Sequence, residues 1–177
     1  MFAKEQLLYH IFITYITTNK QTNTMKKVLI ALDYDLTSKK VAEAGFAMAK
    51  ATGAEVTLLH VMVNSIMYTA AYDNMGAWQI DTIETVEALQ ILEAGSRNFL
   101  KKAKKHLGDP TIETILKEGD FAQVILQTAL EIKADCIVMG SHSQKWLENI
   151  IMGSVTEEVL RKTSIPMFIV PTKKREE

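Results

Sequence analysis

The sequence predicts an α/β fold, a five-stranded parallel sheet with helices on both faces. Three observations predict it. Strand-like and helix-like segments alternate along the chain as β-α-β-α-β-α-β-α-β, the order produced when every crossover between parallel strands carries a helix. The strand segments Lys27 to Leu32 and Cys136 to Met139 are apolar runs without in/out alternation, as in strands covered on both faces. Two glycine turns, at Gly140 and at Gly153-Ser154, fall where a strand ends and where a helix begins.

Each element can be justified in order. Residues 1–24 differ from the rest. Leu8, Ile11, Phe12, Tyr15 and Ile16 have helical spacing, but many β-branched residues weaken a helix there. The segment lacks a small-residue cleavage site and has Glu5 in its charged region, so it is a poor signal peptide. Its apolar run is too short to span a bilayer, which excludes stable membrane insertion. Two readings stand: a short amphipathic docking helix with a polar linker, or an extension ahead of a natural start at Met25, the reading we favour. The main domain is read as 25–172.

The first strand, Lys27 to Leu32, ends in Asp33-Tyr34-Asp35. Ligands of doubly wound sheets sit at the carboxyl ends of strands, so an acid there is placed to meet one, although a solvated turn or helix cap is the commoner use of an isolated aspartate. Asp35 reads as structural or metal-adjacent. Thr37 or Ser38 caps a helix with Val41, Ala44, Gly45 and Met48 on its apolar face, small residues that let it lie close to the sheet, and Gly53 ends it. Glu55 to Val63 is the second strand, and His60 within it reads as a satisfied core histidine. The irregular stretch from Asn64 to Asp81 is longer than a usual loop and carries Tyr68, Tyr72 and Trp78. A lid and a loop buried against a partner subunit fit it equally.

A helix from about Thr82 to Leu107 follows, with Leu92, Ser96, Phe99, Ala103 and Leu107 in steps of four and three. Its basic run, Lys101 to Lys105, suits the helix dipole and a solvated outer face. Thr111 to Leu116 alternates as a half-exposed strand, and Ala122, Ile125, Ala129 and Ile132 give the next helix one face. Cys136 to Met139 is the fourth strand. Val155 and Val159 mark the last helix, with Ser154 as N-cap and Glu157 completing a capping box. The free N–H groups of such a helix start attract anions. Met167 to Val170 is a short strand between Pro166 and Pro171, which suits a sheet edge. Residues 173–177 are a charged tail.

Composition narrows the function classes. With 20 Lys+Arg against 21 Asp+Glu there is no electrostatic case for nucleic acid. The single cysteine, Cys136, allows no internal disulfide and reads as a small core residue. There is no G-x-x-x-x-G-K-[ST], no G-x-S-x-G elbow and no zinc-ligand spacing. Anion binding at the two glycine turns is supported, and no general base or nucleophile can be assigned.

The spacing Gly140-x-x-Ser143, nine residues, Gly153-Ser154 resembles the G-x-x-G-x9-G-[ST] signature of the universal stress protein family. Val138 to His142 and Met152 to Val155 agree with it, as do Leu59-His60-Val61 and Gly119-Asp120. Ser143 departs from it, standing where a second glycine is usual. If that position needs positive φ, serine costs about 1 kcal/mol or more. The resemblance implies a Rossmann-like, adenine nucleotide α-hydrolase-like sheet of order 3-2-1-4-5. It implies an adenine nucleotide, ATP first, accompanied by Mg²⁺, held by Ala31, Asp33, Val61, Met139, Gly140, Ser143, Gly153, Ser154 and Val155. It also implies a cytoplasmic stress-response regulator that dimerises through the edge strand 166–170. The alternative is a member that binds no nucleotide and acts through its dimer surface. An enzyme of the wider hydrolase-like group is disfavoured, because its S-G-G-x-D-S loop is replaced here by Ala31-Leu32-Asp33-Tyr34-Asp35.

Overall fold

The computed structural model describes residues 25–63, 82–141 and 153–172. The segments 1–24, 64–81, 142–152 and 173–177, with His142, Ser143 and Met152 of the signature, lie outside the described residues.

The described chain forms nine elements in alternation: β1 (Lys27–Ala31), α1 (Ser38–Thr52), β2 (Glu55–Met62), α2 (Thr82–Leu107), β3 (Glu113–Glu118), α3 (Phe121–Glu131), β4 (Cys136–Gly140), α4 (Ser154–Lys162) and β5 (Met167–Val170). The strands make one sheet of order β3-β2-β1-β4-β5, parallel throughout. This is the predicted fold and order. β1 lies at the centre, with Ile30 beside Leu58 on one side and Val138 on the other. The chain leaves β1 toward one edge and returns at β4 toward the other, which makes the β1/β4 boundary the topological switch point.

Both faces of the sheet are covered, which is why its strands read as continuous apolar runs. Val28, Ile30, Leu58 and Val138 pack with Val41, Ala49 and Leu100, under α1 and α2. Leu29, Leu59, Ile137 and Met139 pack with Ala122, Ile125 and Val159, under α3 and α4. Cys136 belongs to the first of these layers, and burial pushes its thiol pKa up, as a core role requires. α1 approaches the sheet at Gly45, where a Cβ would stand 2.8 Å from Ile30 Cδ1. Gly53 closes the helix in the left-handed region, φ 71°.

Four expectations need correction. The buried stripe of α1 is Ser38, Val41, Ala42, Gly45 and Ala49, leaving Ala44 and Met48 only partly covered. α2 buries Leu100 and Ser96, whereas Leu92 is half exposed. β3 runs two residues later than expected, because Lys117 and Glu118 pair with Val61 and Met62; Thr111 instead closes a turn in which its N–H and hydroxyl donate to Asp109 Oδ1. The fourth correction, at the start of α4, belongs to the site.

Asp135 ties the lower ends of β1 and β4 together. The N–H groups of Lys26 and Lys27 donate to its Oδ2 at 2.7 and 2.9 Å, and these bonds hold its carboxyl pKa below the usual range. A depressed carboxyl pKa contributes stability above the unfolded value, about 3.9, that is lost as pH falls through the folded value. Asp135→Asn is therefore expected to lower thermal stability at neutral pH, with the difference from wild type shrinking below about pH 4. Melting curves from pH 7 to 3 check this; a pH-independent difference would count against the charge.

Candidate functional site

The carboxyl ends of β1, β2 and β4 open into one cleft of about 730 Å³, within the usual range for small-molecule sites. The β1 exit supplies Ala31, Leu32, Asp33, Tyr34 and Thr37. β2 supplies Leu59 to Met62, with Val63 beyond its end. β4 supplies Met139 and Gly140, and the start of α4 supplies Gly153 to Thr156. The outer wall is formed by Ile91, Leu92, Gly95 and Ser96 of α2 with Phe121 and Ile125 of α3. Eight of the nine predicted site residues thus line one cleft; the ninth, Ser143, is outside the described residues.

The floor presents backbone polar groups. Leu32 N–H donates to Leu59 O at 2.8 Å, so Leu59 turns its backbone groups toward β1. In a strand, residues two apart face the same way, so the N–H and C=O of Val61 also turn to that side. β1 has ended there, its last pair being Ala31 with Leu59. The Val61 backbone therefore offers an adjacent donor and acceptor toward the cleft.

The start of α4 is built differently from the expected capping box. Gly153, with φ −66° and ψ 151°, is the N-cap, and it makes no side-chain capping bond. The first intrahelical bond runs from Glu157 N–H to Gly153 O at 2.9 Å, and the Glu157 carboxylate pairs with Arg161. Ser154 is the first helical residue and is exposed. This start suits an anion, because the N–H groups of Ser154, Val155 and Thr156 precede the first helical bond and no side chain from the cap occupies them. Thr156, which sequence reasoning missed, fixes this turn against the signature strand by donating to Gly140 O at 2.9 Å.

Gly140 sits where a side chain would collide with its neighbours. A Cβ there would stand 3.0 Å from Thr172 Cγ2 and 3.1 Å from Val41 Cγ2. Its lack of a side chain lets α1 and the segment after β5 close over the strand end.

Asp33 is exposed at the cleft rim. Asp35 is structural: its Oδ1 accepts the Thr37 N–H at 2.6 Å and its carbonyl accepts the Ser38 N–H at 3.1 Å. His60 is buried, with Nδ1 at 2.7 Å from Leu32 O. A carbonyl only accepts, so Nδ1 carries the hydrogen. The ring lies edge-on to Phe99 at 5.3 Å, the environment of a satisfied core histidine. Among the described lining residues there is no lysine or arginine, so negative charge bound here would rest on N–H groups and helix dipoles. No group of three or more metal-binding side chains occurs among the described residues.

The family model described as the universal stress protein family matches residues 24–171. The chain belongs to the universal stress protein family. Universal stress protein MJ0531 of Methanocaldococcus jannaschii is 30% identical over 172 residues, covering 96% of this chain and 95% of the relative. Universal stress protein A of Escherichia coli is 29% identical over 154 residues, covering 86% and 98%. Among solved structures, the hypothetical protein MJ0577, the subject of a structure-based assignment of biochemical function, superposes with a TM-score of 0.66 at 27% identity, covering 85% of this chain and 99% of that one. A universal stress protein in complex with cAMP superposes at 0.60 with 20% identity, covering 85% and 99%. One from Archaeoglobus fulgidus in complex with dAMP superposes at 0.52 with 17% identity, covering 82% and 98%. The last two likenesses are of fold.

Proposed function

We propose that this universal stress protein binds an adenine nucleotide, ATP first, at the β1/β4 switch point and serves as a stress-response regulator rather than an enzyme. The observation that carries the reading is the convergence of Ala31, Asp33, Val61, Met139, Gly140, Gly153, Ser154 and Val155 on one cleft. The chemistry of the cleft fits such a ligand. An adjacent N–H and C=O at Val61 match the donor and acceptor along an adenine edge. The Asp33 carboxylate suits sugar hydroxyls. The uncapped start of α4 suits phosphate. The fold neighbours that hold cAMP and dAMP support adenine as the base. Mg²⁺ would arrive with the polyphosphate, to which hard cations bind.

The test is to denature the freshly purified protein and identify released small molecules by mass spectrometry, then to titrate protein that releases none with ATP and Mg²⁺. Released or bound adenine nucleotide supports the reading. Absence in both assays overturns it and favours action through a protein surface.

A homodimer through residues 166–170 belongs to the same reading. β5 is the last strand of the sheet, bonded only to β4 among the described strands, and Phe168 on it is exposed. A free strand edge with an aromatic residue is suited to pairing. Phe168→Glu is expected to convert a dimer to a monomer in sedimentation velocity; a wild-type monomer, or an unaltered dimer in the variant, would remove this interface.

A further inference from the structure

Resting on the nucleotide reading, we infer that Thr37 is a second, unassigned phosphate-contacting residue: its hydroxyl and the start of α1 form the wall of the phosphate site opposite the start of α4.

Thr37 Oγ1 is buried and has no hydrogen-bond partner, alone in this among the described residues. Such an atom is uncommon and calls for an explanation. The usual outlet is closed. Thr37 is the N-cap of α1, yet its φ −86° and ψ −12° are helical, and it makes no side-chain capping bond. N-caps that bond normally hold an extended backbone. Thr37 nevertheless lines the cleft. Rotation about its Cα–Cβ bond exchanges hydroxyl and methyl between staggered positions, so the oxygen can turn toward a ligand that offers an acceptor.

Its position follows from Val41, whose N–H donates to Thr37 O at 3.2 Å. Residues four apart share a helix face. Val41 Cγ2 stands 3.1 Å from where a Cβ of Gly140 would be, so Thr37 overhangs the end of β4 by one turn, about 5 Å. Gly140 O is in turn bonded to Thr156. The starts of α1 and α4 therefore flank the same strand end.

The charge pattern points to the same ligand class. The first turn of α1 contains no acidic residue; Asp35 just ahead of it accepts the Thr37 N–H, and the turn itself carries the exposed Lys39 and Lys40. Helix starts favour acidic side chains because the dipole is positive there. Lysines at this end are unfavourable for the isolated helix and favourable for an anion held beside it. Lys39 is partly answered by Glu43, 3.9 Å away.

The test uses the full chain with Thr37→Val, which keeps the shape and removes the hydroxyl, and Thr37→Ser, which keeps the hydroxyl. ATP affinity is measured by calorimetry, and adenosine is measured by displacement of a fluorescent ATP analogue. Thr37→Val is expected to bind ATP about tenfold or more weakly, the loss of one hydrogen bond to a charged group. Thr37→Ser should stay close to wild type, and adenosine should bind all three proteins with equal affinity. The ligand-free valine variant should melt no lower than wild type, because an unsatisfied hydroxyl has been removed. Wild-type affinity in Thr37→Val, an equal loss for adenosine, or a lower melting temperature with both affinities reduced would overturn the inference and leave the nucleotide reading intact. Failure of the wild type to bind ATP at all would overturn both.

Discussion

Gly153→Val is expected to reduce nucleotide affinity at least a hundredfold while leaving the protein folded. The backbone at Gly153 has φ −66° and ψ 151°, a conformation open to any residue, so valine there stores no backbone strain. What changes is access to the α4 start. Gly153 immediately precedes the N–H groups of Ser154, Val155 and Thr156, and a branched side chain at the cap competes for the volume a phosphate needs to reach them. With no lysine or arginine among the described lining residues, nothing else in the described wall could hold the charge at equal strength. The cost to the fold is the weaker N-cap, about 1 kcal/mol or less. Calorimetric titration with ATP, read beside a melting curve, checks the prediction. A variant that melts normally and retains wild-type affinity would show that the anion does not sit at this turn. Ser154→Ala should be milder, several-fold at most, because it removes one hydroxyl and leaves the backbone donors in place.

The contrast between those two variants also shows what the sequence could reveal. The glycine-serine step and its distance from Gly140 located the turn correctly, because strand-end glycines and helix starts leave marks in residue type. Which of the two residues is the cap depends on one pair of dihedral angles. Serine in second place resembles a capping box closely enough to mislead, since Glu157 does stand three residues on but pairs with Arg161 instead. The strands were legible because burial on both faces leaves a run of apolar residues, as at Cys136 to Met139. β3 was misplaced by two residues because it lies at the sheet edge, is only half covered, and takes its register from β2 rather than from a pattern of its own. Asp33 was legible from its place after β1. The direction of the Val61 backbone was not, because it depends on where β1 stops. Thr37 and Thr156 were missed as site residues for a related reason: a threonine near a helix start is ordinary, and only the packing shows one bonded to Gly140 O and the other bonded to nothing.

Gly45→Leu is expected to destabilise the fold by about 3 kcal/mol or more, the upper part of the range for overpacked cores, and to weaken the site with it. Even the first added carbon would stand 2.8 Å from Ile30 Cδ1, 3.0 Å from Val138 Cγ1 and 3.2 Å from Ile30 Cγ1. Two contacts are with Ile30, which is fully buried at the centre of the sheet, and the third is with Val138, also fully buried, on the neighbouring strand. Neither side chain can swing into solvent, so α1 must lift. Its far end is fixed by the Gly53 turn, while the bond between His106 Nε2 and Glu43 Oε1 at 2.6 Å ties its N-terminal half to α2. The movement is then transmitted to Val41 and Thr37, which lie one and two turns from Gly45 on the same face. Val41 is the residue packed over Gly140, so lifting α1 opens the β1/β4 boundary at the carboxyl ends of the strands. Leucine is a better helix former than glycine by nearly 1 kcal/mol, which offsets only part of the clash. Chemical denaturation measures the stability loss. Where enough protein stays folded, an ATP titration should show weaker binding even though Gly45 is absent from the cleft wall. Loss of stability with unchanged affinity in the folded fraction would mean that α1 accommodates the leucine locally and that the site does not depend on how close α1 lies to the sheet. A neutral stability effect would contradict the packing itself.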